Sequence, residues 1–281
     1  MGAKELLGSR ASPSARLQLL SSPRTADGTN VYLVRDGGTS VLKVSPPAYP
    51  DAIEEMVEKA KLARQALGER LGSCIPVPID QWRTNGVSCG LFEELVPISK
   101  NRLIRFAQRK RITPLVLRWL RDIASLDRGP NRDAISYLNA LAGCPFEPLR
   151  LAADRALAEI NANALVLRST VIHGDLWLGN VMLDPSGERD FMIIDWGGSS
   201  VDELGIFDLV KFAESARLSP RALNAELAAH AERLGCSLPQ TRIYLVAALG
   251  YIWHNLNQFP AEKFAMMADN NLRTLEKALD A

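Results

Sequence analysis

The sequence carries no surplus of charge of either sign: 33 Lys and Arg stand against 32 Asp and Glu, a formal net charge of +1 at pH 7. Without a surplus there is no overall electrostatic pull toward nucleic acid or an anionic membrane. Cysteine is sparse. Cys74, Cys89, Cys144 and Cys236 lie far apart and form no C-x-x-C pair, which argues against a zinc site and a disulfide framework and suits a reduced, cytoplasmic setting. No apolar run approaches the ~20 residues of a membrane-spanning helix. The opening MGAKELLGSRASPSARLQLL is interrupted by charge and does not read as a secretory signal, and Leu6 stands where a myristoylation signal would have Ser or Thr. There is no internal repeat and no low-complexity tract.

What is present is the make-up of a soluble globular protein: 281 residues, 47% hydrophobic and 23% charged, enough for one large domain or two small ones. The first hundred residues read as strands around one helix. ARLQLL, NVYLVRD and TSVLKVS are short, rich in Val, Leu and Tyr, and separated by turn formers, with a hairpin at Asp36-Gly37-Gly38. Asp51 is a candidate N-cap for DAIEEMVEKAKLARQALGERLG, whose Ile53, Met56, Val57, Ala60 and Leu67 share a helical face. IPVPIDQWRTNGVSCGLFEEL then reads as two strands joined at Asn85-Gly86.

From about Pro97 the character is helical, in TPLVLRWLRDIASLD, EPLRLAADRALAEINA, SPRALNAELAAHAERLG, TRIYLVAALGYIWHNLNQF and PAEKFAMMADNNLRTLEKAL. Ser219 before Pro220 marks a helix start, the hydroxyl capping and the proline having no N–H to leave unpaired. Only Val171 to Trp196 interrupts, with the strand-like VMLD and FMIID. The expected organisation is α+β: a small β-rich lobe over 1–96 and a larger α-rich lobe over 97–281.

The interruption carries the chemistry. In VIHGDLWLGNVMLD an apolar run breaks into His173-Gly174-Asp175, reaches Asn180 five residues later and turns apolar again. Asp and Asn are poor strand formers and costly to bury without partners, so the arrangement asks for a ligand. FMIIDWGG places a second acid, Asp195, at the end of an apolar strand before two glycines that let the chain turn sharply. Two carboxylates and an amide oxygen can hold magnesium, which takes hard oxygen ligands and completes its shell with phosphate and water. That combination describes phosphoryl transfer.

His-x-Asp with Asn five residues on, then Asp-Trp-Gly after a strand, is similar to the protein kinase signature, and the form H-G-D resembles the aminoglycoside phosphotransferase family of small-molecule kinases. The resemblance runs from about Asn30 to about Phe212 and implies a two-lobed, protein-kinase-like fold with ATP (or GTP) and Mg2+ between the lobes. It makes Asp175 the catalytic base, Asn180 and Asp195 the metal ligands, and His173 a structural residue of the loop.

Lys43, a lone lysine in the strand SVLKVS, needs an anionic partner. By resemblance it binds the nucleotide phosphates, steadied by a glutamate of the following helix. Glu58 matches the family spacing and Glu54 is the alternative, while Glu55 points to solvent. Gly28, Thr29 and Asn30 stand in the loop that would cover the phosphates, although TADGTN has one glycine where protein kinases have three. LFEELV fits the interlobe hinge, with Phe92 backing the adenine pocket and the backbone of Glu93, Glu94 and Leu95 meeting the base.

Asp208, in GIFDLVKF, is the family's loop-supporting acid. Only thirteen residues separate Asp195 from Asp208, and no A-P-E follows, whereas protein kinases use a much longer segment there to present a peptide. The expected acceptor is therefore a hydroxyl of a small molecule, with Trp177, Trp196, Asp202 and Glu203 as candidate acceptor residues. Residues 97–281 hold 22 Lys and Arg against 21 Asp and Glu, which is not an acidic lobe made for a polycation, so a sugar or polyol is expected ahead of an aminoglycoside antibiotic. HGDLW is also similar to fructosamine kinases, although IIDWGG departs from their second motif. A pseudokinase is the rival from another class, and retention of every catalytic residue type argues against it. The basic run KNRLIRFAQRKRITPLVLRWLR reads as a solvated helical face rather than a nucleic-acid or membrane dock, and no nucleic-acid partner is expected. His230 and His254 lack metal-ligand partners at helical spacing and read as packing or surface residues.

Overall fold

Turn residues set the amino-terminal sheet. Asn85 (φ 49°) and Gly86 (φ 79°) both take the left-handed conformation that a two-residue hairpin turn requires, and Gly37 (φ 69°) does the same in the other tight hairpin. The computed structural model describes residues 3–12, 14–22, 28–126, 128–256 and 259–281, with Ala3 and Lys4 described through their backbone alone. In chain order these form α1 (Ala3–Leu7), β1 (Arg16–Ser21), β2 (Asn30–Arg35), β3 (Thr39–Val44), α2 (Ala52–Gly72), β4 (Asp80–Thr84), β5 (Val87–Glu93), β6 (Val96–Pro97), α3 (Arg102–Ala124), α4 (Ala134–Ala142) and α5 (Glu147–Asn163). There follow β7 (Thr170–Ile172), β8 (Val181–Leu183), β9 (Met192–Ile193), β10 (Ser200–Glu203), α6 (Ile206–Ala216), α7 (Pro220–Leu234), α8 (Thr241–His254) and α9 (Ala261–Leu279). This is the α+β architecture expected, an antiparallel sheet early in the chain and helices later.

One compact unit is Met1–Ile98 with Val181–Gly198. Its main sheet is antiparallel in the order β1-β2-β3-β5-β4. Leu42, Val44, Val34, Trp82 and Cys89 fill one core with Leu6 and Leu7 of α1, and the Trp82 indole N–H donates to the Leu6 carbonyl at 3.0 Å. Ile53 and Val57 of α2 pack with Phe92 in a second core. Gly90 is required there, since a β carbon on it would lie 2.9 Å from the Phe92 ring and 3.1 Å from Ile53. The helix read as continuous over 51–72 breaks its geometry at Gly68 (φ 71°).

The sequence reading assigned everything after residue 96 to the second lobe. The structure instead packs Val181–Gly198 with the first unit. The physical reason is pairing: β8 lies between β6 and β9 in one small sheet, and the Ile193 amide donates to the Cys74 carbonyl at 2.8 Å.

The other unit is Ser99–Asn180 with Ser199–Ala281. Its core is α8, buried from Ile243 to Gly250. Gly250 lets α4 come close, because a β carbon there would fall 2.3 Å from the Tyr137 carbonyl oxygen. Ser219 caps α7 as expected, accepting from the Ala222 amide at 3.3 Å with Pro220 behind it. α4 is an element the sequence reading missed. α3 begins earlier than the apolar pattern suggests, with Asn101 capping the Leu103 and Ile104 amides, and it continues through Pro114. Its early turns, the basic run, are exposed; Arg121 near the end pairs with Glu226 at 2.8 Å. No helix among the described residues is long and apolar enough to cross a membrane.

Candidate active site

In the first unit, Lys43 lies mid-strand on β3, opposite Val31 of β2 and Gly90 of β5. It is 8% exposed, so its ammonium needs a compensating charge. The Asp195 carboxylate supplies it through a direct ion pair, with the Met56 sulfur at 4.0 Å and the Phe92 ring centre at 5.7 Å. Asp195 follows β9 at φ 66°, a left-handed conformation that costs a residue with a β carbon energy and that persists where surrounding structure enforces it. The enforcing contacts are local. Buried Trp196 donates its indole N–H to the Ile193 carbonyl at 2.7 Å, and Lys59 Nζ donates to the Gly197 carbonyl at 2.7 Å.

The lysine's expected partner is corrected by this geometry. α2 buries Ile53 and Val57, which turns Met56 toward Lys43, while Glu58, about 100° beyond Val57 around the helix, is exposed. Glu54, the alternative, is also exposed and sits 3.6 Å from Arg83.

A cavity of about 410 Å³ opens beside Lys43, with Gly28, Thr29, Val41, Phe92 and Leu95 in its wall. Thr25, Ala26 and Asp27 of the expected phosphate-covering loop lie outside the described residues. Asn30 opens β2 opposite Val44. Glu93 also lines the cavity and stands 3.6 Å from Arg189, whereas Glu94 is exposed and is not among the lining residues.

In the second unit, β7 ends at Ile172 and delivers His173-Gly174-Asp175 into a loop held from α6. Asp208, 2% exposed in the first turn of that helix, accepts the His173 amide at 2.5 Å and the Gly174 amide at 3.1 Å. Burial pushes the Asp208 carboxyl above the usual range, opposed by neighbouring His173, by the two amides and by Lys211. Buried His173 accepts from the Asp175 amide through Nδ1 at 3.2 Å. Gly174 takes φ 78°, which frees the loop to reverse.

The Asp175 side chain is half exposed and contacted on both oxygens. Asn180 Nδ2 donates to its Oδ2 at 3.3 Å and to its backbone carbonyl at 2.9 Å. The second partner is one the sequence reading missed: Lys211 of α6 donates to Asp175 Oδ1. Its signal was legible, since Lys211 falls three residues after Asp208 and hence on the same helical face.

The candidate acceptor residues are dispersed. Trp177 is 45% exposed, its ring lying across Gly179, where a β carbon would come within 2.2 Å. Trp196 is a buried residue of the first unit. Asp202 pairs with Arg128 at 3.0 Å, and Glu203 accepts from the Tyr137 hydroxyl at 2.8 Å. Glu203 sits opposite Thr170, at the end of β7 away from Asp175. His230 is buried with Nδ1 2.8 Å from the Glu226 carbonyl, and His254 is exposed. No group of three or more His, Cys, Asp or Glu suited to a metal occurs among the described residues.

The model of the phosphotransferase enzyme family matches residues 22–243, a span that contains Lys43, Asp175, Asn180, Asp195 and Asp208. The chain belongs to this family. No curated protein matches it in sequence. Solved structures show the fold of this phosphotransferase again. A protein of Haemophilus somnus 129PT provisionally assigned as a fructosamine-3-kinase is 13% identical, with a TM-score of 0.56 over 94% of this chain and 91% of its own. Plasmodium vivax ethanolamine kinase is 12% identical, with a TM-score of 0.56 over 97% and 84%. Macrolide 2'-phosphotransferase MphH of Brachybacterium faecium is 16% identical, with a TM-score of 0.53 over 91% and 90%.

One buried acid of the phosphotransferase gives it a pH-dependent stability. Burial pushes the Glu203 carboxyl from its ordinary 4.5 up to about 7, against the hydrogen bonds of Tyr137 and Asn131. The folded protein therefore keeps a proton that the unfolded chain releases. The stability tied to it is fully present below 4.5 and is lost as the pH rises to about 7. Glu203→Gln cannot ionise and still accepts from Tyr137. Between about pH 5 and about pH 8 its thermal midpoint is expected to fall less than the parent's, read by circular dichroism.

Proposed function

We infer that this phosphotransferase moves the γ-phosphoryl group of ATP, or of GTP, to a hydroxyl of a neutral or weakly charged small molecule such as a sugar or polyol. The observation that carries the reading is Asp175: an accessible carboxylate on a loop fixed through its backbone by Asp208, in a chain that also holds a lysine–carboxylate pair beside a cavity. In this reading the first unit takes the nucleotide, with Lys43 on its phosphates and Phe92 and Leu95 against its base. The second unit takes the acceptor.

Asn180 of the second unit and Asp195 of the first each offer an oxygen of the kind magnesium takes. Asn180 Nδ2 is committed to Asp175, which leaves its amide oxygen to accept a cation, and the half-exposed Asp195 adds a carboxylate. Magnesium needs only one or two such protein ligands when phosphates and water complete its shell. When bound, the ion would neutralise charge on the β- and γ-phosphates. Asp175 takes the hydroxyl proton as the acceptor oxygen bonds to the γ-phosphorus, the bond from that phosphorus to the β–γ bridging oxygen breaks, and the nucleoside diphosphate leaves.

Charge supports a neutral acceptor. The two acids that the sequence offered for a polycation, Asp202 and Glu203, have partners in Arg128 and Tyr137. The test is ADP release from MgATP across a panel of sugars, polyols, amino alcohols and aminoglycosides. Saturable turnover with an uncharged hydroxyl compound is expected. Turnover of kanamycin with a micromolar Michaelis constant, steeply weakened by salt, would overturn the acceptor assignment.

A further inference from the structure

α6 grips the Asp175 loop twice. Asp208 holds its backbone through the His173 and Gly174 amides, and Lys211, one turn on, holds the Asp175 carboxylate itself. We propose that Lys211 is a positioning residue for phosphoryl transfer, fixing the orientation of the Asp175 carboxylate while remaining a cation beside it. This rests on Asp175 being the base.

Three observations carry it. First, a carboxylate contacted on one oxygen alone can still rotate about its terminal bond; Lys211 on Oδ1 and Asn180 on Oδ2 together remove that freedom. Proton abstraction depends on such orientation, and a displacement of about 1 Å can cost about 10²-fold in rate. Second, the helix is a poor place for a lysine unless it has a use. Phe207, Leu209, Val210, Phe212 and Ala213 around it are buried, the Lys211 side chain is only 20% exposed, and its Nζ stands 5.4 Å from the Phe207 ring centre. Third, the Asp175 side chain is 51% exposed, and an ion pair that open to solvent adds little stability. Orientation of the carboxylate is what the contact accomplishes.

The proton balance is consistent. Asp175 accepts the hydroxyl proton through Oδ2, and the Lys211 contact lies on the other oxygen, Oδ1, clear of the transfer.

The experiment compares Lys211→Met, Lys211→Gln and Lys211→Arg with Asp175→Asn, measuring ADP release from MgATP with water and with each hydroxyl compound of the panel. Lys211→Met is expected to lower kcat about 10²-fold with the Michaelis constant for ATP within about twofold of the parent, and Lys211→Arg to recover part of the loss. Lys211→Gln stands in if the methionine variant fails to fold. A kcat within about threefold of the parent in the folded neutral variants, or a loss confined to the ATP Michaelis constant, overturns the inference. The two readings fail separately. Retained turnover in Asp175→Asn removes the base; lost turnover there with an unaffected Lys211→Met removes only the role of the lysine.

Discussion

Asp175→Asn is expected to bind MgATP as the parent does and to lose turnover by about 10²- to 10⁴-fold, the usual size of a general-base contribution. The substitution is nearly isosteric, and the backbone of the loop is held by Asp208 rather than by the carboxylate it removes. The amide oxygen can still accept from Lys211, while the new NH2 group faces Asn180 Nδ2 and forfeits that side-chain bond; Asn180 keeps its bond to the residue 175 carbonyl. What the new amide cannot do is take the hydroxyl proton. Calorimetric titration with MgATP beside steady-state ADP release separates the two properties. Parent-like turnover in the variant would remove Asp175 from the chemistry.

Asp195→Ala is expected to act on the other property. Perturbing groups that merely support a metal ligand costs about 10- to 100-fold in affinity, so deleting a ligand carboxylate is expected to weaken magnesium-dependent ATP binding on the order of 10²-fold. It also leaves Lys43, 8% exposed, without the carboxylate that compensates its charge. Asp195→Asn serves as the control, since its amide oxygen still accepts from Lys43 while the negative charge on the metal is gone. Calorimetry with and without magnesium reads both. Nucleotide binding that ignores magnesium equally in the parent and the variants would remove the metal role.

The sheet was legible because its information is local. Asn85-Gly86 and Asp36-Gly37-Gly38 specify turns through backbone conformations that few other residues accept, and the strands between them carry Val, Leu and Tyr. The Ser219-Pro220 helix start was legible for the same reason. Lys43, Asp175, Asn180 and Asp195 stood out as charged or amide residues set among apolar ones, a pattern that needs partners whatever the fold, whereas Asp208 came from the family resemblance.

Partner choice was less legible, because it depends on how elements pack. Spacing favoured Glu58 for Lys43, but the apolar face of α2 is set by Ile53 and Val57 and presents Met56. Lys211 was not singled out; its spacing from Asp208 gives the two a shared face of α6, and only the packed loop shows what that face meets. α4 was missed although Asp133 stands at its N-cap; it is only nine residues long and the aspartate makes no side-chain cap hydrogen bond. Pro114 does not end α3, since its exposed position leaves the carbonyl without a donor open to solvent.

The membership of Val181–Gly198 in the first unit bears on how such a chain can be inherited in pieces. A crossover at residue 98 would draw Lys43 and the carboxylate bonded to it from different parents, and likewise β6 and its strand partner β8. A recombinant that keeps this unit whole takes two separated stretches from one parent. Substitutions in the helices of the second unit, by contrast, leave the Lys43–Asp195 bond within one parent's sequence.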